Sequence, residues 1–223
     1  MVSNRCALAA RCSATKARRS AGGTLTSTAV PTIRVVIQLR GYPAGAHGVA
    51  VLIRREGQTD AGAIRAVTAA AFARPDAPGH APPEVRLVDE LRASGAWLPA
   101  LSLVATGPGG DVTGHVLCTR GHVGDVPVLA LGPLTVRPDR QRAGVGSALM
   151  HAVLGAGDAL GEPLVALLGD PGYYGRFGFR LGREYQITPP VAGWQPHFQV
   201  RLLTAFRPSV RGTFRYAEPF DRV

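Results

Sequence analysis

The sequence predicts a single domain of mixed α/β class, and three observations support this class. An apolar, strand-like run at 128–136 is followed by an amphipathic helical run at 145–160 and a second apolar strand at 164–168. A glycine-containing turn joins the first strand to the helix. The chain has 223 residues and 46% hydrophobic content, which is enough for a sizeable core but leaves little room for a second domain of usual size.

The N-terminal half of this domain is predicted to contain one strand and two helices. The strand is the short apolar, β-branched run 49–53. Asp60 is a plausible N-cap for the first helix, and the proline-rich stretch 75–83 ends it. The second helix spans 84–93. The side chains expected to face the core are Ile64, Val67 and Phe72 on the first helix and Leu87, Val88 and Leu91 on the second.

Strands are predicted on both sides of the central strand–helix–strand unit. Residues 101–105 and 111–119, joined by the glycine-rich turn 107–110, form a hairpin that leads into the strand at 128–136. Further strands are expected near 199–203 and 211–216.

The turn between strand and helix is predicted to bind a phosphate group. A helix N-terminus presents amides without internal partners and a partial positive charge, and two glycines keep this turn small. An ATP-type P-loop is excluded because no lysine stands between Gly146 and Ser147. The dinucleotide fingerprint fits poorly, because Leu149 replaces its third small residue and residues 137–141 separate the strand from the first glycine.

Two features outside the turn narrow the interpretation. Gly132-Pro133 interrupts an otherwise apolar strand, and because proline cannot donate a ladder hydrogen bond, it predicts a bulge or a locally unpaired edge. Downstream, Tyr174 is followed after three residues by Gly178-Phe179.

The combination of strand, Q-x-x-G-x-G loop, helix, strand and Tyr-x-x-x-Gly-Phe resembles the GNAT family of N-acetyltransferases over residues 128–180. The resemblance implies a GNAT acyl-CoA N-acyltransferase fold, an α/β (α+β) architecture whose central sheet is mixed, mostly antiparallel, with a splayed cofactor strand and flanking helices. It also implies acetyl-CoA as co-substrate. The implied cofactor-binding residues are Leu134, Thr135 and Val136 on the strand and Gln141, Arg142, Ala143, Gly144, Val145, Gly146 and Ser147 in the loop.

The same resemblance implies transfer of an acetyl group to a primary amine by direct attack in a ternary complex, with Tyr174 as general acid. Two departures from the family pattern stand out. Asp170 lies only four residues before Tyr174, which implies a shortened final helix, and no Glu or His lies on the strand 128–136. Proton removal is therefore left to water, with Asp125, His122 or a backbone carbonyl as acceptor. The missing base also keeps open a second function, a non-catalytic acyl-CoA-binding or sensing module.

The net charge of +10 comes almost wholly from the N-terminus. Residues 1–55 hold nine of the 25 basic residues and none of the 15 acidic ones, so the remainder is close to neutral. Residues 1–47 are predicted to be a disordered basic extension, and residues 48–223 the catalytic domain. A transit peptide and a nucleic-acid arm are the alternatives for the extension, but aromatic residues for base stacking are nearly absent from it.

The remaining composition limits cofactors and partners. Cys6, Cys12 and Cys118 form no C-x-x-C pair and the histidines are scattered, so neither a metal nor a disulfide framework is expected. Cys118 is expected to be a small buried apolar residue. The acceptor is expected to be a small-molecule or protein amine; nucleic acid and membrane partners are not expected, a homodimer is left open, and the cytoplasm is the expected location.

Overall fold

The structure is a computed structural model that describes residues 35–37, 51–74 and 79–222. Its strands are β1 (Val35–Ile37), β2 (Val51–Arg55), β3 (Trp97–Thr106), β4 (Val112–Val123), β5 (Val126–Val136), β6 (Leu164–Leu168), β7 (Arg180–Leu181), β8 (Ile187–Thr188), β9 (Phe198–Leu202) and β10 (Gly212–Arg215). Its α-helices are α1 (Ala61–Ala71), α2 (Pro83–Ala93), α3 (Val145–Ala159) and α4 (Pro171–Tyr174). Most of the predicted basic extension and residues 75–78 of the proline-rich stretch lie outside the described residues.

The strands form one open sheet in the order β1-β2-β3-β4-β5-β6-β9-β7, and β10 pairs with both β4 and β8. Neighbours along this order are antiparallel except β5 and β6, which run parallel. The β8–β10 pair is also parallel. The mixed, mostly antiparallel sheet with flanking helices predicted from the sequence is confirmed.

The helices cover opposite faces of this sheet, because side chains alternate along each strand. On β4, Val116 and Cys118 point into the core formed with α3, whereas Leu117 points to the face covered by α2. The α1 helix packs beside α2 on that second face. Residues buried between α3 and the sheet include Leu149, Met150 and Val153, and those buried beneath α1 and α2 include Ile64, Val67, Leu87, Val88 and Leu91.

The β5 strand changes its pairing at the predicted bulge. Its register with β4 shifts between the pairs Cys118↔Leu131 and Val116↔Leu134, so that Gly132 and Pro133 take up the extra length. On its other edge, β5 pairs with β6 only at Leu129 and Ala130. The two parallel strands therefore separate at the bulge and leave an opening between them.

Most predicted elements are found within a few residues of their expected bounds, and the shortened final helix is the four-residue α4. Asp60 does precede α1, but its carboxylate binds the Arg54 guanidinium and the Gly57 amide instead of capping the helix. Phe72 is the residue after the last turn of α1 and is only half-buried. In the described part of the chain, no helix is long and apolar enough to cross a membrane.

Three residues of the predicted extension lie in the described part of the chain and form a strand. Residues 35–37 form β1, which lies antiparallel to β2 with Val36 opposite Leu52. The β-branched sequence Val-Val-Ile favours an extended backbone, and the free edge of β2 supplies the hydrogen-bonding partner that a three-residue strand lacks by itself.

Two truncations test where the folded domain begins. A chain that starts at residue 35 keeps β1, and we expect its melting temperature to match that of the full chain. A chain that starts at residue 48 loses β1, and we expect a drop of roughly 2–5 °C because the edge of β2 becomes unpaired. Thermal unfolding followed by circular dichroism makes the comparison. Equal melting temperatures for the two truncated chains would mean that β1 contributes no stability.

Candidate functional site

The predicted phosphate loop connects β5 to α3 at the open end of the gap between β5 and β6. A short 3₁₀ turn, Pro138–Arg140, follows β5, and Gly144 adopts a left-handed conformation with φ of 84° just before α3 begins. The amide of Ala148 donates to the Gly144 carbonyl at 3.0 Å, which closes the first turn of the helix. The amides of residues 145–147 precede that hydrogen bond, so they are the groups that a helix N-terminus offers to an anion.

Hydrogen bonds to the ends of β4 and β5 hold this loop in place. The side-chain amide of Gln141 donates to the Val136 carbonyl at 3.1 Å, and the Arg137 amide donates to the Thr113 carbonyl at 2.9 Å. The Arg137 guanidinium also binds Asp139 and Asp111. Gln141, predicted to contact the cofactor, therefore braces the end of the cofactor strand in the structure.

Gly146 lies where the loop, the end of β5 and α4 meet. A Cβ atom at this position would be 3.0 Å from the Tyr173 hydroxyl oxygen and 3.6 Å from Cγ2 of Val136. A larger side chain would displace one of these neighbours as well as narrow the approach to the helix N-terminus. The contacts with Tyr173 and Val136 give Gly146 a packing reason to lack a side chain, and the predicted approach to a pyrophosphate stays a prediction.

The two adjacent tyrosines of α4 occupy different surroundings. Asp170 caps α4 by accepting a hydrogen bond from the Gly172 amide at 2.9 Å, and this directs Tyr173 toward the loop. Tyr174 packs against Gly169, at the end of β6, and its ring centroid lies 5.9 Å from that of Phe179. Burial, with a smaller effect from Tyr173, raises the pKa of Tyr174 to about 12. Its hydroxyl therefore stays protonated at neutral pH.

The predicted strand residues divide between the two faces of the sheet. Leu134 and Val136 pack against the α3 core, whereas Thr135 points to the other face, 1% exposed, and its hydroxyl donates to the His115 carbonyl at 3.4 Å. The backbone of these residues, beyond the last pairing with β6, is what faces the opening. Asp125 and His122 lie at the β4–β5 turn, and at about 3.3 Å per residue they are roughly 23 Å and 16 Å from the bulge along the strands.

A buried polar cluster beneath α1 and α2 was not predicted. The Ser102 hydroxyl donates to Glu56 at 2.5 Å and lies 2.9 Å from Nε2 of His115, while Arg92 binds the other Glu56 oxygen at 2.8 Å. Arg92 also stacks on the ring of Trp97. No local pattern reveals the cluster, because Glu56 follows β2 while the other members come from β3, β4 and α2, and they meet only after the sheet forms.

Burial and charge fix the protonation of this cluster. Burial lowers the pKa of His115, which is fully enclosed, so the ring is neutral and Nε2 donates to Ser102. Burial alone would raise the pKa of Glu56, but its contacts with His115, Ser102 and Arg92 outweigh this effect and lower the pKa to about 2. The cluster thus holds one ionised carboxylate that is already neutralised by Arg92.

The structure supports the prediction for Cys118, which is fully buried and has a pKa raised by burial. Its thiol is therefore inert at neutral pH. Among residues 35–37, 51–74 and 79–222, no group of three or more His, Cys, Asp or Glu side chains is arranged to hold a metal ion.

Comparison with known proteins identifies the family. The Acetyltransferase (GNAT) family matches residues 70–179. The N-acetyltransferase YhbS of Escherichia coli K12, itself uncharacterised, is 32% identical over 183 residues, which cover 81% of this chain and 95% of YhbS. The chain belongs to the GNAT family. As a member of this family it is an acyltransferase.

Two solved GNAT structures share the fold over most of their length. The structure of E. coli YhbS in complex with CoA has a TM-score of 0.70 and 30% identity, covering 82% of this chain and 97% of that one. A GNAT acetyltransferase from Brucella melitensis in complex with acetyl-CoA has a TM-score of 0.62 and 35% identity, covering 77% and 98%. Both of these GNAT structures therefore hold CoA or its acetyl thioester.

Substitution of Gly146 by Asp tests the loop. The new side chain adds bulk beside Tyr173 and negative charge beside the helix N-terminus, so we expect acetyl-CoA binding measured by calorimetry to fall below detection. The matched control is Gly155→Asp on the same helix, where a Cβ would meet no atom within 4 Å. Both variants should keep a native circular dichroism spectrum, and retained affinity in Gly146→Asp would refute the loop assignment.

Substitution of Glu56 by Gln tests the buried cluster. The folded-state pKa of Glu56 lies below its unfolded value, so the ionised carboxylate stabilises the fold above about pH 4.5 and this contribution is lost as the pH falls toward 2. We expect Glu56→Gln to lower the unfolding free energy by about 1–3 kcal/mol at pH 7. The substitution removes the stabilising negative charge and leaves the Arg92 guanidinium without its carboxylate partner. The difference should narrow below pH 4.5. The exposed Glu184→Gln is the control, and a difference that does not change with pH would contradict the assignment.

Proposed function

We propose that the protein is an N-acetyltransferase that transfers the acetyl group of acetyl-CoA to a primary amine. The observation that carries the proposal is the opening between β5 and β6, with the α3 N-terminus at one end and Tyr174 at the other. The family supports a CoA-linked donor. The positions of the α3 N-terminus and of Tyr174 suit the pyrophosphate and the thioester of such a donor. The same proposal places the protein in a compartment that supplies acetyl-CoA, for which we propose the cytoplasm.

The cofactor would lie along the unpaired edge of β5. Its pyrophosphate would accept hydrogen bonds from the amides of the loop 141–147, favoured by the partial positive charge of α3. Its pantetheine arm, which carries amide groups, would pair with the backbone of residues 134–136 as a missing strand would. This position brings the thioester to the bulge, near Tyr174.

The transfer would be a direct attack within a ternary complex. The amine nitrogen forms a bond to the thioester carbonyl carbon, a backbone amide of β5 stabilises the oxyanion, and the C–S bond then breaks. The amine gives up one proton and the sulfur gains one, so the products are an amide and free CoA. Alignment of the two substrates supplies the larger share of the rate, about 7–11 kcal/mol, compared with about 3–4 kcal/mol for one oxyanion donor.

Tyr174 would assist the departure of the sulfur atom. A phenol with a pKa of about 12 is a weaker acid than a thiol, whose ordinary pKa is about 8.5. Complete proton transfer before the C–S bond breaks would therefore be uphill. The hydroxyl is better suited to donate a hydrogen bond as negative charge develops on sulfur, with the proton following when the amine releases its own.

A non-catalytic acyl-CoA-binding module is the second candidate. The observation that favours it is the composition of β5, which carries no carboxylate or imidazole, while Glu56 and His115 are sealed beneath the helices. The two functions differ in one measurement. Release of CoA above the hydrolytic background when amines are added supports the transferase, and tight acetyl-CoA binding without release supports the module.

Substitution of Tyr174 by Phe removes one hydroxyl and keeps the ring that packs on Phe179. Because the hydroxyl acts on the leaving group and not on substrate binding, we expect kcat to fall about 100-fold or more with little change in the KM for acetyl-CoA. The loss of kcat should be smaller with an acyl donor whose leaving thiol is more acidic. Steady-state kinetics with a thiol-reactive dye provide the measurement.

Tyr173→Phe and Tyr185→Phe are the controls for this substitution. Tyr173 reaches the loop, so its loss should weaken acetyl-CoA binding more than turnover, and Tyr185 packs against Phe206 on the other side of the fold. If Tyr173→Phe lost kcat and Tyr174→Phe did not, the two roles would be exchanged. If neither lost it, the thiolate would leave without help from a protein hydroxyl.

A further inference from the structure

The bulge in β5 has an aromatic cover on the face opposite α3. Phe220, in the C-terminal 3₁₀ turn, lies with its Cε1 atom 3.7 Å from the position that a Cβ on Gly132 would take. The same ring packs against Leu87, Leu91 and Leu117. Phe220 therefore stands over the point at which the two parallel strands separate, on the side reached between α2 and the C-terminal segment.

Phe220 is one end of a layer of aromatic rings. Its centroid lies 5.0 Å from that of Tyr216, and Tyr216 lies 4.6 Å from Phe214 and 6.2 Å from Trp194, with the last two pairs close to perpendicular. Phe220, Tyr216 and Trp194 are each half-buried as whole residues, and the Tyr216 hydroxyl is enclosed. A continuous apolar wall thus runs from the bulge toward the surface.

Two buried hydroxyls in this region have no hydrogen-bond partner among the described residues. One is the Tyr216 hydroxyl and the other is that of Thr119, which is fully buried. Thr119 lies on β4 opposite Ala130 and two residues beyond Leu117, so it shares the face that Phe220 covers. Buried polar atoms normally find partners, and an unpaired hydroxyl is costly in an apolar wall. A ligand with its own polar group would supply the partner.

Most charged residues beside this wall are paired with one another, whereas Glu84, one turn before Leu87 on α2, has a buried Oε2 with no hydrogen-bond partner among the described residues. Glu90 of α2 and Glu218 of the C-terminal turn both bind Arg222, and the Arg222 carbonyl accepts a hydrogen bond from Arg86. Asp221 is exposed to solvent. A polyamine or a lysine-rich peptide needs several unpaired carboxylates, whereas this wall offers rings and hydroxyls.

We infer that the aromatic wall of Phe220, Tyr216 and Trp194 is the acceptor site and that it selects a small primary amine on an aromatic body with a ring hydroxyl. This inference rests on the proposed function, since it specifies the amine that attacks the thioester. The ring of the acceptor packs on Phe220, its hydroxyl pairs with Tyr216, and its amine reaches the bulge beside Gly132.

The test combines turnover with direct binding. With acetyl-CoA as donor, tyramine should be used with a kcat/KM at least tenfold above that of spermidine or a lysine tetrapeptide. Phe220→Leu, which keeps an apolar side chain, should raise the KM for tyramine and for 2-phenylethylamine by roughly tenfold. Tyr216→Phe should raise the KM for tyramine by a similar factor and leave that for 2-phenylethylamine within twofold, since only tyramine has the hydroxyl.

The paired controls are Phe206→Leu and Tyr185→Phe, an aromatic contact of the same kind elsewhere in the domain. They should leave the KM values unchanged, and every variant should keep its affinity for acetyl-CoA. Equal KM changes for both amines in Tyr216→Phe, or none in Phe220→Leu, would overturn the site.

Calorimetric titration of tyramine into the protein saturated with CoA separates this inference from the function on which it rests. Binding of tyramine that is lost in Phe220→Leu, without any release of CoA in turnover, would support the site and refute the transferase. Acetylation of spermidine with neither binding nor acetylation of tyramine would support the transferase and refute the aromatic acceptor site.

Discussion

The β5 strand is paired with β4 along nearly its whole length but with β6 at only two residues, and the site depends on this difference. Pro133 has no amide hydrogen, so the ladder cannot continue unchanged through it. The extra length at Gly132 and Pro133 then turns β5 away from its parallel neighbour, while β6 ends at Leu168 and is followed by α4. The opening therefore exists because two strands that begin as neighbours end in different directions.

The positions of the loop and of the tyrosines follow from that separation. The α3 helix packs on one face through Leu149 and Met150, and this packing aims its N-terminus at the wide end of the opening. Gly114 shows how closely the layers approach, because a Cβ there would be 3.0 Å from both Leu149 and the Thr135 carbonyl. The α4 helix has four residues, so one step along it changes the direction of a side chain by about 100°. Tyr173 consequently reaches the loop and Tyr174 turns toward Gly169.

The donor half of this site could be predicted from sequence because it is contiguous. Pro133, Gly144, Gly146 and Tyr174 fall within about 40 residues, and each has a local reason to be where it is. The other half is assembled from distant segments. Ser102 meets Glu56 across 46 positions, and Phe220 reaches Gly132 only after the C-terminal turn has packed on α2. Contacts of that kind depend on strand register and leave no pattern in a local window. The three residues of β1 were missed for a related reason, since so short a strand is specified by its partner's free edge.

In the proposed transfer, the proton that the amine must lose links the donor half of the site to the acceptor half. The Glu56 carboxylate, with a pKa of about 2, holds a proton too weakly to act as a base near neutral pH, and it is already bound by Ser102 and Arg92. Asp125 and His122 stand at the far end of the hairpin. We infer that the proposed acceptor wall compensates in another way, because an ammonium group brought beside an apolar wall loses hydration and its pKa falls. Rings at Phe220 and Tyr216 would therefore favour the neutral amine at the bulge, with its proton passed to water before attack. On this argument the proposed acceptor wall would also prepare the nitrogen of the amine, which would account for acyl transfer beside a strand without a carboxylate or imidazole.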